Sequence, residues 1–442
     1  MRTPPPALDP GALCAEWRTR TPQSPDLTLA CKLVTPLYGG GVEAGEVDEA
    51  LPIRASSIRG QLRFWWRIAC GGADRDDPER LFERERAIWG GIGAEGPVAS
   101  RVRVVVRTKG RAEVEPVFEY HPDRRATGRL NSTPRLKNWI GDPLAYALFP
   151  AQGKLTADGT DVEKKPHALM HAGLRFELQL SMDERLDPQQ RHEVEVALRW
   201  WASFGGIGAR TRRGLGAVEA DSLTPVDASE VEAAGGWLCE GRQGPDARSA
   251  HERAIGLLKR FRQGEGMGRN HGSVPKRPGR SCWPEPDAIR KLSGCSSSDH
   301  AKPFVDCGPV FPRAAFGLPI VFHFKDAPSG TRPRRDQEPI DHVLEPADLA
   351  GETRERMASP LILRPYRDAE RRWRPAALLL PGWEQALTIS LKFSQPAGAS
   401  TPRPWPADPQ ERTRLAEQVK PLKENGQTDA LRAFMAFFEQ EA

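Results

Sequence analysis

The chain has 442 residues, 38% of them apolar and 28% charged, with a formal net charge of +5. That length exceeds one ordinary core and predicts two domains, while the small net charge excludes nucleic-acid attraction by total charge and leaves it to local patches. No apolar run approaches a bilayer span, the start "MRTPPPALDPGALCAEW" lacks the apolar segment of a secretory signal, and the seven cysteines are scattered; a cytoplasmic protein with reduced thiols, no membrane partner and no cofactor is predicted.

In chain order, residues 1 to about 25 read as loosely held, and "LTLACKLVTPL" alternates as a strand. A glycine run and an acidic loop follow. The loop carries Glu43, Glu46, Asp48 and Glu49 without a nearby histidine or EF-hand spacing, and reads as solvated or facing a basic neighbour. "SSIRGQLRFWWRIACGG" reads as a helix capped at Ser56 or Ser57 and closed by Gly71 and Gly72. Ile58, Leu62, Trp65, Trp66 and Ala69 form its apolar stripe, so the tryptophans read as core. Arg59, Arg63 and Arg67 share another face. No acid lies between Arg54 and Arg67. That face therefore repels itself unless it meets an anion or an acidic partner, and phosphate tracking is predicted over plain solvation.

"PERLFERERAIWG" reads as a second helix, and "SRVRVVVRTKG" as a strand. Residues 111–172 look polar and irregular around the apolar island "PLAYALFP". "GLRFELQLSMD" is a strand, and "RHEVEVALRWWASF" a helix with Val194, Ala197, Leu198, Trp201 and Phe204 aligned. "LGAVEAD" is a last short strand. This is the βαββαβ order of a ferredoxin-like (RRM-like) sandwich with insertions, placed at residues 22–225. "VEAAGG" reads as a linker. Residues 236–442 then show a helix at "SAHERAIGLLKRFRQG" and a long loop over 264–308. Strands follow at "FGLPIVFHFK", "SPLILRPYR", "RPAALLLP" and "LTISLKF", with an amphipathic terminal helix. The fold class is α+β, with a second, degenerate copy of the same sandwich.

The segment "GGIGARTRRGLG" (205–216) compresses three arginines between glycines. Glycine permits positive φ and close backbone approach, successive N–H groups can cradle an anion, and Arg210, Arg212 and Arg213 add charge. A solvated turn ending a helix is the plainer reading; contact with RNA or DNA is the one expected. The segment lacks the Gly-Lys-Ser/Thr end of a Walker loop, and it precedes a strand rather than opening a helix, unlike a dinucleotide fingerprint. Cys282, Cys295, His300 and Cys307 are possible zinc ligands without a CxxC knuckle, so no metal is predicted. A metal-independent nuclease would need a histidine near the loop; His171 and His192 are the candidates.

Taken together, "TPLYGGGVEAGEVDE", "PIRASSIRGQLRFWWR", "IWGG" and "GGIGARTRRGLG", with "RAAFGLPIVF" and "RMASPLILRP" further on, resemble the RAMP superfamily of CRISPR proteins. More narrowly they resemble the first RAMP subunit of type III-B (Cmr) effector complexes. The resemblance implies two ferredoxin-like domains and a glycine-rich loop on RNA. It implies a non-catalytic subunit near the guide 3′ end, whose partners are guide RNA, target single-stranded RNA, other RAMP subunits and the small subunit. Its motif positions fall here on Arg54, Ser57, Arg59, Gly60, Gln61, Arg63 and Arg67. In the loop they fall on Gly206, Gly208, Arg210, Thr211, Arg212, Arg213, Gly214 and Gly216. The candidate strands lack paired RNP aromatics, so contacts to the RNA backbone are expected. The rivals are a RAMP endoribonuclease that processes guide RNA and a purely structural docking subunit.

Overall fold

The computed structural model describes residues 9–19, 24–94, 96–124, 126–272, 279–324, 327, 333–348, 355–396 and 401–442. Helix α1 (Pro10–Thr19) occupies part of the segment expected to be loose. Residues 1–8 and 20–23 of that expectation lie outside the described residues.

The first half follows the expected order. Strand β1 (Leu27–Leu33) leads to helices α2 (Ala55–Cys70) and α3 (Pro78–Trp89), then to strand β2 (Val102–Lys109). Short strands β3 (Val114–Pro116) and β4 (Ala168–Met170) pair within the insertion. Strand β5 (Arg175–Met182), helix α4 (Pro188–Phe204) and strand β6 (Val218–Ala220) complete the unit. The four main strands form one antiparallel sheet in the order β6-β1-β5-β2. Register sets Leu29 opposite Leu178 and Cys31 opposite Phe176. Alternation therefore sends Leu29, Cys31, Leu33, Phe176, Leu178 and Leu180 to one buried face. Helices α2 and α4 cover that face with the expected stripes, Ile58, Leu62, Trp65 and Trp66 against Val194, Leu198, Trp201 and Phe204. Helix α4 starts on a capping box of Asp187 and Gln190. Helix α2 has no such device: its N-cap is Arg54, with no side-chain cap bond, so Ser56 and Ser57 sit inside the first turn rather than capping it.

The "VEAAGG" segment is not a linker. Its first three residues end helix α5 (Ala228–Ala233), which is capped by Asp227 and Glu230, with Val231 fully buried, and a tight turn follows. Strand β7 (Trp237–Glu240) and helix α6 (Ala247–Gln263) follow. The expected long loop contains helix α7 (Glu285–Ser293), with Trp283 and Ile289 at 0% exposure. Strands β8 (Ile320–Phe322) and β9 (His342–Pro346) come next, then β10 (Leu361–Arg367), β11 (Trp373–Leu379) and β12 (Leu391–Gln395). They divide into two sheets, β7-β11-β10 and β8-β9-β12. The strands predicted at "FGLPIVFHFK" and "LTISLKF" thus form a separate small sheet. Helix α8 (Ala430–Glu441) buries Leu431, Phe434, Met435 and Phe438, its expected stripe.

The halves share their cores. Phe204 of α4 stacks on Tyr366 of β10 at 5.7 Å and 10°. Arg364 of β10 is buried and donates to the carbonyls of Gly205 (2.6 Å), Val218 (3.1 Å) and Ala202 (3.3 Å). The island at 144–151 belongs to the other large core, with Leu144 and Leu148 beside Ile255 and Leu258 of α6. The first-half loop at 205–216 therefore lies along a packed seam, not at the tip of an isolated domain.

Candidate nucleic-acid interface

The arginines of α2 have different fates. Arg63 and Arg67 each bind Glu85 of α3 at 2.5 Å, and that carboxylate is buried. The self-repelling face is thus neutralised at these two positions by an acid from the next helix. Arg54 pairs with Asp48 at 2.9 Å. Bonds from the Leu51 amide and the Arg54 guanidinium hold the Asp48 carboxyl below its usual range. Arg59 is exposed, its side chain with no hydrogen bond or ion pair among the described residues. Ser57 and Gly60 are exposed beside it, and Gln61 is half-buried. Trp65 and Trp66 are core as expected, Trp66 donating to Glu193 at 2.8 Å.

The Gly–Arg loop is a packed strap rather than an open cradle. Arg210 takes the left-handed conformation (φ 58°), Thr211–Arg213 make one 3-10 turn, and Gly214 closes it. Several amides expected to meet an anion are already used: Ile207 donates to Gly216, Ala209 to Tyr38, and Gly216 to Pro36, at 2.6 to 2.9 Å. The glycines serve packing. A Cβ on Gly208 would fall 2.5 Å from the Tyr38 carbonyl, and one on Gly214 would fall 2.7 Å from both the His251 ring and the Leu363 carbonyl. Gly206 is buried in a bridge to Ala217, and Thr211 is half-buried.

The three loop arginines also separate. Arg213 donates to the carbonyls of Leu361 (2.9 Å) and Phe316 (3.2 Å). Burial, with the nearby Arg262 cation, pushes its guanidinium down to about 9. Arg212 donates to the Ser359 carbonyl and lies 5.7 Å over the Phe64 ring. Both therefore tie the loop to the second half and to α2, instead of standing free for phosphate. Arg210 is half-buried, with no hydrogen bond or ion pair for its side chain among the described residues. Burial lowers its pKa, helped by Arg356 and opposed by Tyr38 and Tyr146. The structure does bring the two motif segments together: Arg212 rests on Phe64, and the Trp65 indole lies against Gly205. Sequence reasoning missed Arg262 and Tyr146, which reach this seam from segments with no motif of their own, and Arg364, which lies in the motif "RMASPLILRP" but was not singled out.

The remaining candidates lie elsewhere. Cys282, Cys295, His300 and Cys307 do not converge on a ligand set. His300 Nδ1 is 2.7 Å from Glu338, and the Cys307 thiol faces the Leu415 carbonyl at 3.9 Å. The group among the described residues that could hold a metal is Glu113, Glu115 and His171, whose ligand atoms lie within 4.8 Å of one another. His171 is stacked on Trp139 at 4.0 Å, and His192 is exposed on α4. The histidine beside the loop's neighbour is His167, 3.5 Å from the Tyr38 hydroxyl.

Residues 30–219 match the model of the RAMP superfamily. The CRISPR system Cmr subunit Cmr1-2 of Pyrococcus furiosus is 25% identical over 190 residues, 43% of this chain and 92% of that protein. The crystal structure of Cmr1 from Pyrococcus furiosus aligns over 56% of this chain and 79% of its own, with TM-score 0.34 and 16% identity. A chain of the cryo-EM structure of type III-B Cmr-beta bound to cognate target RNA aligns over 90% and 99%, with TM-score 0.43 and 12% identity.

Proposed function

We propose that the chain, whose residues 30–219 match the model of the RAMP superfamily, is a non-catalytic, RNA-binding subunit of a type III-B CRISPR effector ribonucleoprotein. It binds guide and target RNA near the guide 3′ end, among other RAMP subunits and the small subunit. The observation that carries this reading is the pair of uncommitted cations, Arg59 and Arg210. They stand on two motif segments that the fold joins through Arg212 and Phe64. Guanidinium groups without an acid partner suit phosphate, and a backbone-reading surface suits a complex in which base pairing reads sequence.

The test is a titration of labelled single-stranded RNA at several salt concentrations, with each bound sample run on a denaturing gel with and without EDTA. Intact RNA is expected. The double variant Arg59→Ala/Arg210→Ala is expected to flatten the log–log salt slope by about 0.7 for each phosphate it no longer neutralises. An unchanged slope sinks the assignment.

One observation favours the endoribonuclease reading. Tyr38 and His167 form an acid–base-capable pair beside Arg210. Burial pushes the Tyr38 hydroxyl up, which keeps it protonated and leaves little phenolate to act as a base near neutral pH. Discrete, EDTA-resistant cleavage abolished by His167→Ala would establish this reading instead.

A further inference from the structure

The arginines at the seam outnumber the acids available to them. Arg213 donates to the Phe316 carbonyl at 3.2 Å, and Arg262 of α6 lies over the Phe316 ring at 5.4 Å. Both cations thus converge on one residue of the 3-10 turn Pro312–Phe316. Arg313 of the same turn is paired, with Glu285 at 3.0 Å. Arg213 and Arg262 have no ion pair among the described residues, and the Arg262 Nε is buried without a hydrogen-bond acceptor. Arg210 stands on the same loop as Arg213, with its guanidinium equally without an acid.

A half-buried donor with no acceptor, among like charges, is an arrangement that burial penalises and an anion relieves. Guanidinium is also the side chain whose planar fork best fits a phosphate. We propose that Arg210 and Arg262 form a seat for one phosphate at the seam between the halves, with Arg213 as a fixed charge behind it. The seat takes a phosphate of the RNA strand, so the RNA path crosses from the loop onto α6. This identification of the ligand rests on the RNA-binding reading above. The depressed pKa of Arg213, caused by burial and then by Arg262, agrees with a cation cluster lacking its counter-charge.

The test uses the full chain and two probes, a single-stranded RNA 20-mer and inorganic tripolyphosphate. Wild-type protein is labelled with phenylglyoxal, and modified arginines are located by mass spectrometry with and without RNA. Protection of Arg210 and Arg262 is expected, and Arg262→Gln is expected to flatten the salt slope by about 0.7 at an unchanged melting temperature. If wild-type binds RNA in a salt-sensitive way, yet both arginines label equally and Arg262→Gln keeps the slope, the seat is overturned while the RNA-binding reading stands. If RNA does not bind but tripolyphosphate raises the melting temperature of wild-type and not of Arg262→Gln, the anion seat stands and its RNA ligand is wrong. If neither probe binds, both readings fall. The labelling arm needs no variant, so a misfolded Arg262→Gln would not rescue the proposal.

Discussion

His251 Nε2, on α6, lies 2.7 Å from the backbone carbonyl of Arg213, so a histidine from one half holds the Gly–Arg loop of the other. For this bond the ring must donate from Nε2. The ring is 1% exposed, and burial pushes its pKa down to about 4 against the opposing pull of the Arg213 carbonyl, with the Arg364 cation adding to the depression. The unfolded chain binds the proton near 6.5, so between about 6.5 and 4 it holds more protons than the fold. Stability from this site is complete above the upper value and is lost as pH falls towards the lower, by about 3 kcal/mol in all. The melting temperature of wild-type is expected to drop more between pH 7 and 4.5 than that of His251→Gln, which keeps a donor and cannot titrate. Parallel curves would remove His251 as the cause.

Arg213 and Arg59 sit in the same set of motif positions but are expected to fail in opposite ways. Arg213→Ala leaves the Leu361 and Phe316 carbonyls without their donor at a packed seam. A loss of about 2–4 kcal/mol in denaturant unfolding is expected. Arg59→Ala touches nothing among the described residues and should stay within about 0.5 kcal/mol of wild-type while weakening RNA binding. A destabilised Arg59→Ala, or a fully stable Arg213→Ala, would reverse these roles.

Periodicity made the first half legible. Two-residue alternation found β1, β2 and β5, and the tryptophan stripes found α2 and α4, because one buried face dictates each pattern. Partners from other segments were not legible. Glu85 neutralises Arg63 and Arg67 from α3, and Leu361 and Phe316 receive Arg213 across more than a hundred residues. A glycine-rich, arginine-rich loop looks the same in sequence whether its amides face an anion or the Tyr38 and Pro36 carbonyls. The small sheet of β8, β9 and β12 was misplaced because strand pairing is chosen by tertiary packing, which short apolar runs do not encode.

Glu85 provides a second test of the buried charges. Its carboxylate is 1% exposed and accepts from Arg63 Nε and from Arg67 Nε and Nη2. Glu85→Gln keeps the shape and removes the charge. Both arginines remain partly in water, so the expected loss is moderate, about 1–3 kcal/mol. The freed cations are expected to steepen the RNA salt slope, by up to about 0.7 for each that reaches a phosphate. A flatter slope would mean that Glu85 orients these arginines towards RNA rather than withholding them.

Two glycines of the motif segments separate packing from contact. Gly214 has φ 75°, and its added Cβ would lie 2.7 Å from the His251 ring and from the Leu363 carbonyl. Gly214→Ala combines a left-handed strain with a backbone clash, and a loss of about 2–4 kcal/mol is expected. Gly60 is different: it is exposed inside α2, and its Cβ would meet nothing within 4 Å. Helix propensity then predicts that Gly60→Ala stabilises the protein by about 0.5–1 kcal/mol. Gly60 follows Arg59, where the RNA strand is proposed to run, so the same added methyl is expected to weaken RNA binding while raising the melting temperature. Stabilisation with unchanged RNA affinity would place the strand away from this turn of α2 and leave Arg59 to act at longer range.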